Sequence, residues 1–86
     1  MRLAWTAQGW ADYVDWQTAD RALLKRINKL IDDALRSPFE GIGKPEPLRH
    51  RGPDAWSRRI TDEHRLVYRV QGDELVIVQA RFHYDG

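Results

Sequence analysis

Glu46 stands between two prolines in the run Gly43-Lys44-Pro45-Glu46-Pro47-Leu48. Each proline ring fixes its own φ, so the carboxylate rides on a backbone with few alternatives and little entropy to lose. Arg65 follows His64 in the alternating segment His64-Arg65-Leu66-Val67-Tyr68-Arg69-Val70, which would stand its guanidinium on one face of a strand. Near the end of the chain, Arg81-Phe82-His83-Tyr84 sets an imidazole and a phenol beside a cation. A carboxylate, an arginine, a histidine and a phenol form a set that can break a phosphodiester next to a free hydroxyl, as in metal-free RNA scission. The hydroxyl needs a base, the crowded phosphorus needs cationic donors, and the leaving oxygen needs an acid. Aromatic rings also offer stacking surface to an unstacked base. Each segment has a plainer reading by itself: a rigid solvated connector, a strand arginine paired with a carboxylate, and a packed strand end.

Charge points the same way. From Lys44 to Arg69 there are seven basic residues (Lys44, Arg49, Arg51, Arg58, Arg59, Arg65, Arg69) against four acidic (Glu46, Asp54, Asp62, Glu63), an excess of +3 in a chain whose total is +1. His50 and His64 lie in this stretch and His83 follows it. The surplus reads either as a solvated sheet face that arginines keep from edge-to-edge pairing or as a surface for phosphates. Other chemistries have less support. The chain has no cysteine, which removes a disulfide framework, a thiolate metal site and a cysteine nucleophile. No histidine pair has helical ligand spacing, and Asp32 and Asp33 diverge as helix neighbours, so a metal route is less attractive. Ser37 and Ser57 lack the glycine context of a nucleophile elbow. No apolar run is long enough to span a membrane and no signal-peptide core is present, so a cytoplasmic protein is expected.

The elements that must position these groups can be read from periodicity. At 86 residues the chain is one domain, 1–86. Such a chain buries only about 60–65% of its unfolded surface and supports one core with a shallow site. Met1 to Thr6 alternates as a strand at an edge would. Ala7 to Ala19 reads as a helix with Trp10, Tyr13, Val14 and Gln17 on one aromatic face. Asp20 is a natural N-cap for a second helix, Arg21 to Arg36, whose Leu23, Leu24, Ile27, Leu30, Ile31, Ala34 and Leu35 form a broad apolar stripe. Pro38 closes it. Strands are expected near 56–61, 64–70 and 74–83, and their short connections make them an antiparallel meander. Leu75 to Val78 is continuously apolar, as an interior strand would be. The expected class is α+β in the order β-α-α-β-β-β: an antiparallel sheet with two helices on one face and arginines on the other.

Longer segments carry a more specific likeness. Trp5, Trp10, Asp12 and Tyr13 near the start, Arg-Ser-Pro-Phe-Glu-Gly-Ile-Gly-Lys-Pro-Glu-Pro-Leu-Arg-His over 36–50, Trp-Ser-Arg-Arg-Ile-Thr-Asp-Glu-His-Arg-Leu-Val-Tyr over 56–68, and the terminal Arg-Phe-His-Tyr resemble the YoeB-type toxins of the RelE/ParE superfamily. These segments run from the first strand to the last, so the resemblance covers essentially the whole chain.

The resemblance implies a RelE-like fold and the toxic half of a bacterial toxin–antitoxin pair, a ribosome-dependent endoribonuclease that cuts translated mRNA in the decoding site. It assigns Glu46 as general base, Arg65 as the cation that stabilises the phosphate, His83 as general acid, and Tyr84 as a group that orients or stacks on the substrate. Lys44, Arg49 and Arg59 become contacts to the RNA backbone. It implies no cofactor, a co-encoded antitoxin of Phd/YefM type, the ribosome and mRNA as partners, and a homodimer. Two other classes stay open: a superfamily toxin that inhibits gyrase by binding, and a non-catalytic module whose basic face receives an acidic partner segment.

Overall fold

Thr6 and Asp20 each begin a helix in the computed structural model, which describes residues 1–82. The Thr6 hydroxyl accepts the Gly9 N–H at 3.0 Å and opens α1, Ala7–Ala19. Asp20 Oδ1 accepts from Ala22 and Leu23 at 3.0 and 3.1 Å and opens α2, Arg21–Arg36. Such a cap contributes about 1 kcal/mol. Ser37 ends α2 just before Pro38, as the proline rule requires. Both helices have the expected bounds.

The strands are β1 (Arg2–Trp5), β2 (Glu46–Pro47), β3 (Ala55–Arg59), β4 (Arg65–Gln71) and β5 (Glu74–Gln79), in the sheet order β1-β5-β4-β3-β2. The β3-β4-β5 meander is antiparallel, and β5 is an interior strand. The α+β class and the two helices on one face stand. Two details differ from expectation. β1 pairs parallel with β5, Trp5 opposite Ile77, because both helices lie between them and act as the crossover that a parallel pair needs. The two-residue β2 also joins the edge of the sheet, so the sheet is mixed. Among the described residues, no helix is long and apolar enough to cross a membrane.

Two strands end earlier than their alternation suggests. β3 stops at Arg59 because the amides of Ile60 and Thr61 both turn to the His64 carbonyl, at 3.0 and 3.2 Å. β5 stops at Gln79 because α1 takes over the backbone of Ala80: its N–H donates to Asp12 Oδ2 at 3.0 Å, and its carbonyl accepts Trp16 Nε1–H at 2.7 Å.

The main core lies between helices and sheet, built by Trp16, Ile27, Leu30, Ile31, Ala34, Leu66, Tyr68, Leu75 and Ile77. Each fully buried Leu or Ile contributes about 1.5–3 kcal/mol. The stripe of α2 packs as read. That of α1 does not: Trp10 and Val14 are 51% and 42% exposed, while Gly9, Asp12 and Trp16 are buried. Gly9 has no side chain, so α1 seats directly on the Ile77 backbone and leaves the Trp10 edge outside. On the opposite face of the sheet Leu48, Ala55 and Val67, with Val78 against them, make a small second cluster.

Candidate active site

The carboxylate segment is delivered by a loop wrapped around one buried guanidinium. Arg58 is fully buried on the helix side of β3, and its nitrogens hold the chain that leaves α2. Nη1 donates to Asp33 Oδ2 at 2.6 Å and to the Ile42 carbonyl at 3.1 Å. Nη2 donates to the carbonyls of Ser37 and Glu40, at 2.6 and 2.9 Å. Nε donates to the Tyr68 hydroxyl at 3.0 Å, and that hydroxyl donates in turn to the Pro38 carbonyl at 2.7 Å. Arginine suits this role because its planar fork presents five donors. The same bonds set two acidities. The Arg58 hydrogen bond, helped by the Ile42 N–H, holds the Asp33 carboxyl below its usual value. Burial pushes the Tyr68 phenol up, with Arg58 opposing.

Gly41 and Gly43 have φ of +120° and +79°, a region side chains avoid, and a Cβ on Gly43 would lie 2.6 Å from Leu30 Cδ2. The loop is thus pinned at Gly43, whose carbonyl accepts the Arg59 N–H at 2.7 Å, and it releases the chain into Lys44, Pro45 and Glu46.

Glu46 pairs with Ser57, and Ser57 with Val67, so all three side chains share the sheet face away from the helices. Arg59 and Arg65 form the next cross-strand pair on that face. From strand spacing, Glu46 and Arg65 lie about 10 Å apart across the sheet and about 7 Å apart along it. Glu46, Lys44, Arg49 and Arg59 are exposed, Arg49 in a 3₁₀ turn at Arg49–Arg51 that Leu48 anchors in the second cluster. Arg65 is only 7% exposed, which removes the plain reading of a solvated strand arginine. Its Nη1 donates to the carbonyls of Thr61, Asp62 and His64, so the β3–β4 turn fixes where the guanidinium sits.

The chain then returns beside Arg65. The Arg65 N–H donates to the Phe82 carbonyl at 3.1 Å, and the Phe82 N–H donates to His64 Nδ1 at 2.8 Å. His83 and Tyr84, the expected acid and phenol, lie outside the described residues. A groove of about 430 Å³ runs from α1 to this segment, lined by Gln8, Asp12, Asp15, Arg51, Gln79, Arg81 and Phe82.

The basic surplus needs correcting. Arg58 belongs to the core, not to the exposed face, because a guanidinium with a carboxylate and four other acceptors around it can be buried where a lone one cannot. Arg69 is likewise engaged, its Nη1 donating to Asp54 Oδ1 at 2.6 Å and its Nη2 to the Arg51 carbonyl at 3.0 Å. The Asp54 carboxyl is held below its usual pKa first by the Gln71 amide, then by Arg69. Sequence reasoning also passed over His64 and Gly9. The alternation of Trp56, Arg58 and Ile60 was the signal that could have placed Arg58 inside.

Comparison with known proteins bears on the family and the fold. Residues 5–84 match the model of the YoeB-like toxin of bacterial type II toxin-antitoxin systems. A Toxin YoeB of Streptomyces coelicolor is 58% identical over 84 residues, 98% of this chain and 100% of the relative. A solved YoeB/ParE toxin from Agrobacterium tumefaciens superposes with a TM-score of 0.93 at 52% identity, covering 98% of this chain and 100% of that one. The Staphylococcus aureus YoeB dimer gives a TM-score of 0.90, and a heterotetrameric YoeB–YefM complex 0.86, each at 38% identity and 98% coverage of both chains.

Proposed function

Because this chain belongs to the YoeB-like toxins of bacterial type II toxin–antitoxin systems, we propose that it is a ribosome-dependent endoribonuclease that cuts translated mRNA in the cytoplasmic decoding site. The observation that carries the reading is the shared sheet face: a carboxylate on a proline-stiffened strand and a turn-anchored guanidinium one pair further along, with exposed Arg59 paired to the latter.

In this reaction Glu46 takes the proton of the 2′-hydroxyl. The 2′-oxygen bonds to phosphorus as the bond to the 5′-oxygen breaks, leaving a 2′,3′-cyclic phosphate and a 5′-hydroxyl. Arg65 offers its remaining N–H donors to the phosphoryl oxygens as their charge grows. His83 gives a proton to the departing 5′-oxygen, and Tyr84 orients or stacks on the substrate. Lys44, Arg49 and Arg59 hold neighbouring phosphates, which position the strand but carry no sequence information. Neutralisation comes from a YefM-type antitoxin, as in the Staphylococcus aureus complex, and the free toxin pairs with a second copy, as in the dimer of that organism.

The test is cleavage of mRNA held in ribosomes. Glu46→Gln keeps shape and hydrogen bonding but not basicity, and it should slow cleavage by about 10²–10⁴-fold. Arg65→Ala should cost about 10²–10³-fold or more. Ribosome binding should persist in the Glu46 variant, because its loss belongs to the transition state. Cleavage by both variants at the wild-type rate would refute the mechanism. Tight binding to gyrase, with no association with ribosomes, would replace it with inhibition by binding.

A further inference from the structure

His64 is buried and is the turn residue next to Arg65, yet nothing in the proposed reaction uses it. It is 8% exposed, its ring edge-on to Trp16 with centroids 4.9 Å apart and tilted against Phe82 at 5.5 Å. Its backbone is fixed on both sides. The carbonyl accepts from Ile60 and Thr61, and its N–H donates to the Thr61 hydroxyl at 3.1 Å. The imidazole therefore has little freedom to do anything but face the returning chain.

What it meets there is the Phe82 amide, which donates to Nδ1 at 2.8 Å. A backbone amide can only donate, so Nδ1 is the unprotonated nitrogen and the ring proton sits on Nε2. The next residue completes the hold, since the Arg65 N–H donates to the Phe82 carbonyl. Phe82 needs holding: its φ is +58°, in the left-handed region that residues other than glycine avoid. Its ring does not supply the force, being 56% exposed. The peptide unit that follows the gripped carbonyl is that of His83.

We propose that His64 is a positioning residue for His83: its Nδ1, with the Arg65 N–H, holds the Phe82 backbone in the left-handed conformation from which the chain continues into His83. This rests on the reading of His83 as the general acid. It adds a role for the histidine of the Glu-His-Arg segment, which acts through Phe82 and touches no substrate.

Two substitutions of similar size separate the hydrogen bond from packing. In His64→Asn, a side-chain oxygen sits where Nδ1 was and still accepts; in His64→Gln, the acceptor lies one atom farther out. Amide exchange of Phe82 should be protected in the wild type and in His64→Asn, and faster by roughly tenfold in His64→Gln. On ribosome-bound mRNA, kcat should fall by up to about 10²-fold in His64→Gln, with KM little changed, and should stay near wild type in His64→Asn. In a His83→Ala background the Gln substitution should cost nothing further, because there is no longer an acid to misplace. The nitrogen-15 shifts of His64 in the unaltered protein give a reading independent of any variant's folding, and should show Nδ1 unprotonated and accepting. A protonated Nδ1, equal Phe82 exchange in both variants, or an equal Gln penalty with and without His83 would each overturn the proposal. If the wild type leaves ribosome-bound mRNA uncut, the ribonuclease reading and the aiming of an acid fall together. The exchange comparison then still decides whether His64 holds Phe82.

Discussion

Gly9→Ala should destabilise this protein, although it replaces the poorest ordinary helix residue with the best one in the first turns of α1. In an exposed helix the change would stabilise by about 1 kcal/mol. Here a Cβ on Gly9 would lie 2.9 Å from the Ile77 carbonyl carbon, closer still to its oxygen, and 3.3 Å from the Val78 carbonyl carbon. Real Cβ atoms essentially never come within 3.0 Å, and the obstacle is the backbone of an interior strand, which cannot rotate away. The helix must move outward instead. That strains the bonds from Asp12 and Trp16 to Ala80, which turn the chain toward Phe82. Overpacking of this kind costs about 2–3 kcal/mol when the neighbour cannot yield, so the net loss after the propensity gain is about 1–2 kcal/mol. For a domain of this size that lowers Tm by about 5–15 °C. The assay is urea and thermal unfolding at fixed protein concentration, since self-association would shift both midpoints. Ala11→Gly at an exposed position of the same helix calibrates the propensity term. A Gly9→Ala variant with a raised unfolding midpoint would show that α1 does not sit on the β5 backbone.

Arg58→Met should cost about 3–5 kcal/mol in urea unfolding, because Asp33 and three loop carbonyls lose a buried partner. Arg58→Lys should recover little of this, since a single ammonium cannot reach both ends of the loop; a Lys variant within 1 kcal/mol of wild type would refute the clamp. The lowered Asp33 pKa contributes stability above its unfolded value of about 4, lost as pH falls through the lower folded value. The deficit of Asp33→Asn at pH 7 should therefore shrink in acid, and a deficit constant down to pH 2 would contradict it. The raised Tyr68 phenol behaves oppositely: its contribution is present below about pH 10 and is lost as pH rises through its folded value. Stability curves for Tyr68→Phe should lose that alkaline fall.

Local pattern carried a large part of this molecule. The cap at Asp20, the stripe of α2, the stop at Pro38 and the alternation of β3 and β4 depend on residues a few positions apart, so they are readable from the chain alone. So are the strand faces on which Arg59 and Arg65 stand, though not the joining of Glu46 to their sheet as β2. Alternation sets the face of each strand residue, and the long matching segments pointed to the toxin family that the comparisons bear out.

What escaped depends on contacts across many residues. Whether β1 ran parallel or antiparallel hinged on how two helices cross the sheet. That α1 hides Gly9 rather than Trp10 hinged on how closely that helix meets β5. Arg58 looked like one more surface cation because its acceptors, Asp33 and the carbonyls of Ser37, Glu40 and Ile42, are scattered over the chain before it. His64 carried no visible purpose until Phe82 came back, eighteen residues later, to place an amide on its Nδ1. A side chain's type sets which bonds it can make, but burial sets what leaving them unmade would cost. Only the assembled fold brings the partners close enough for that cost to choose between them.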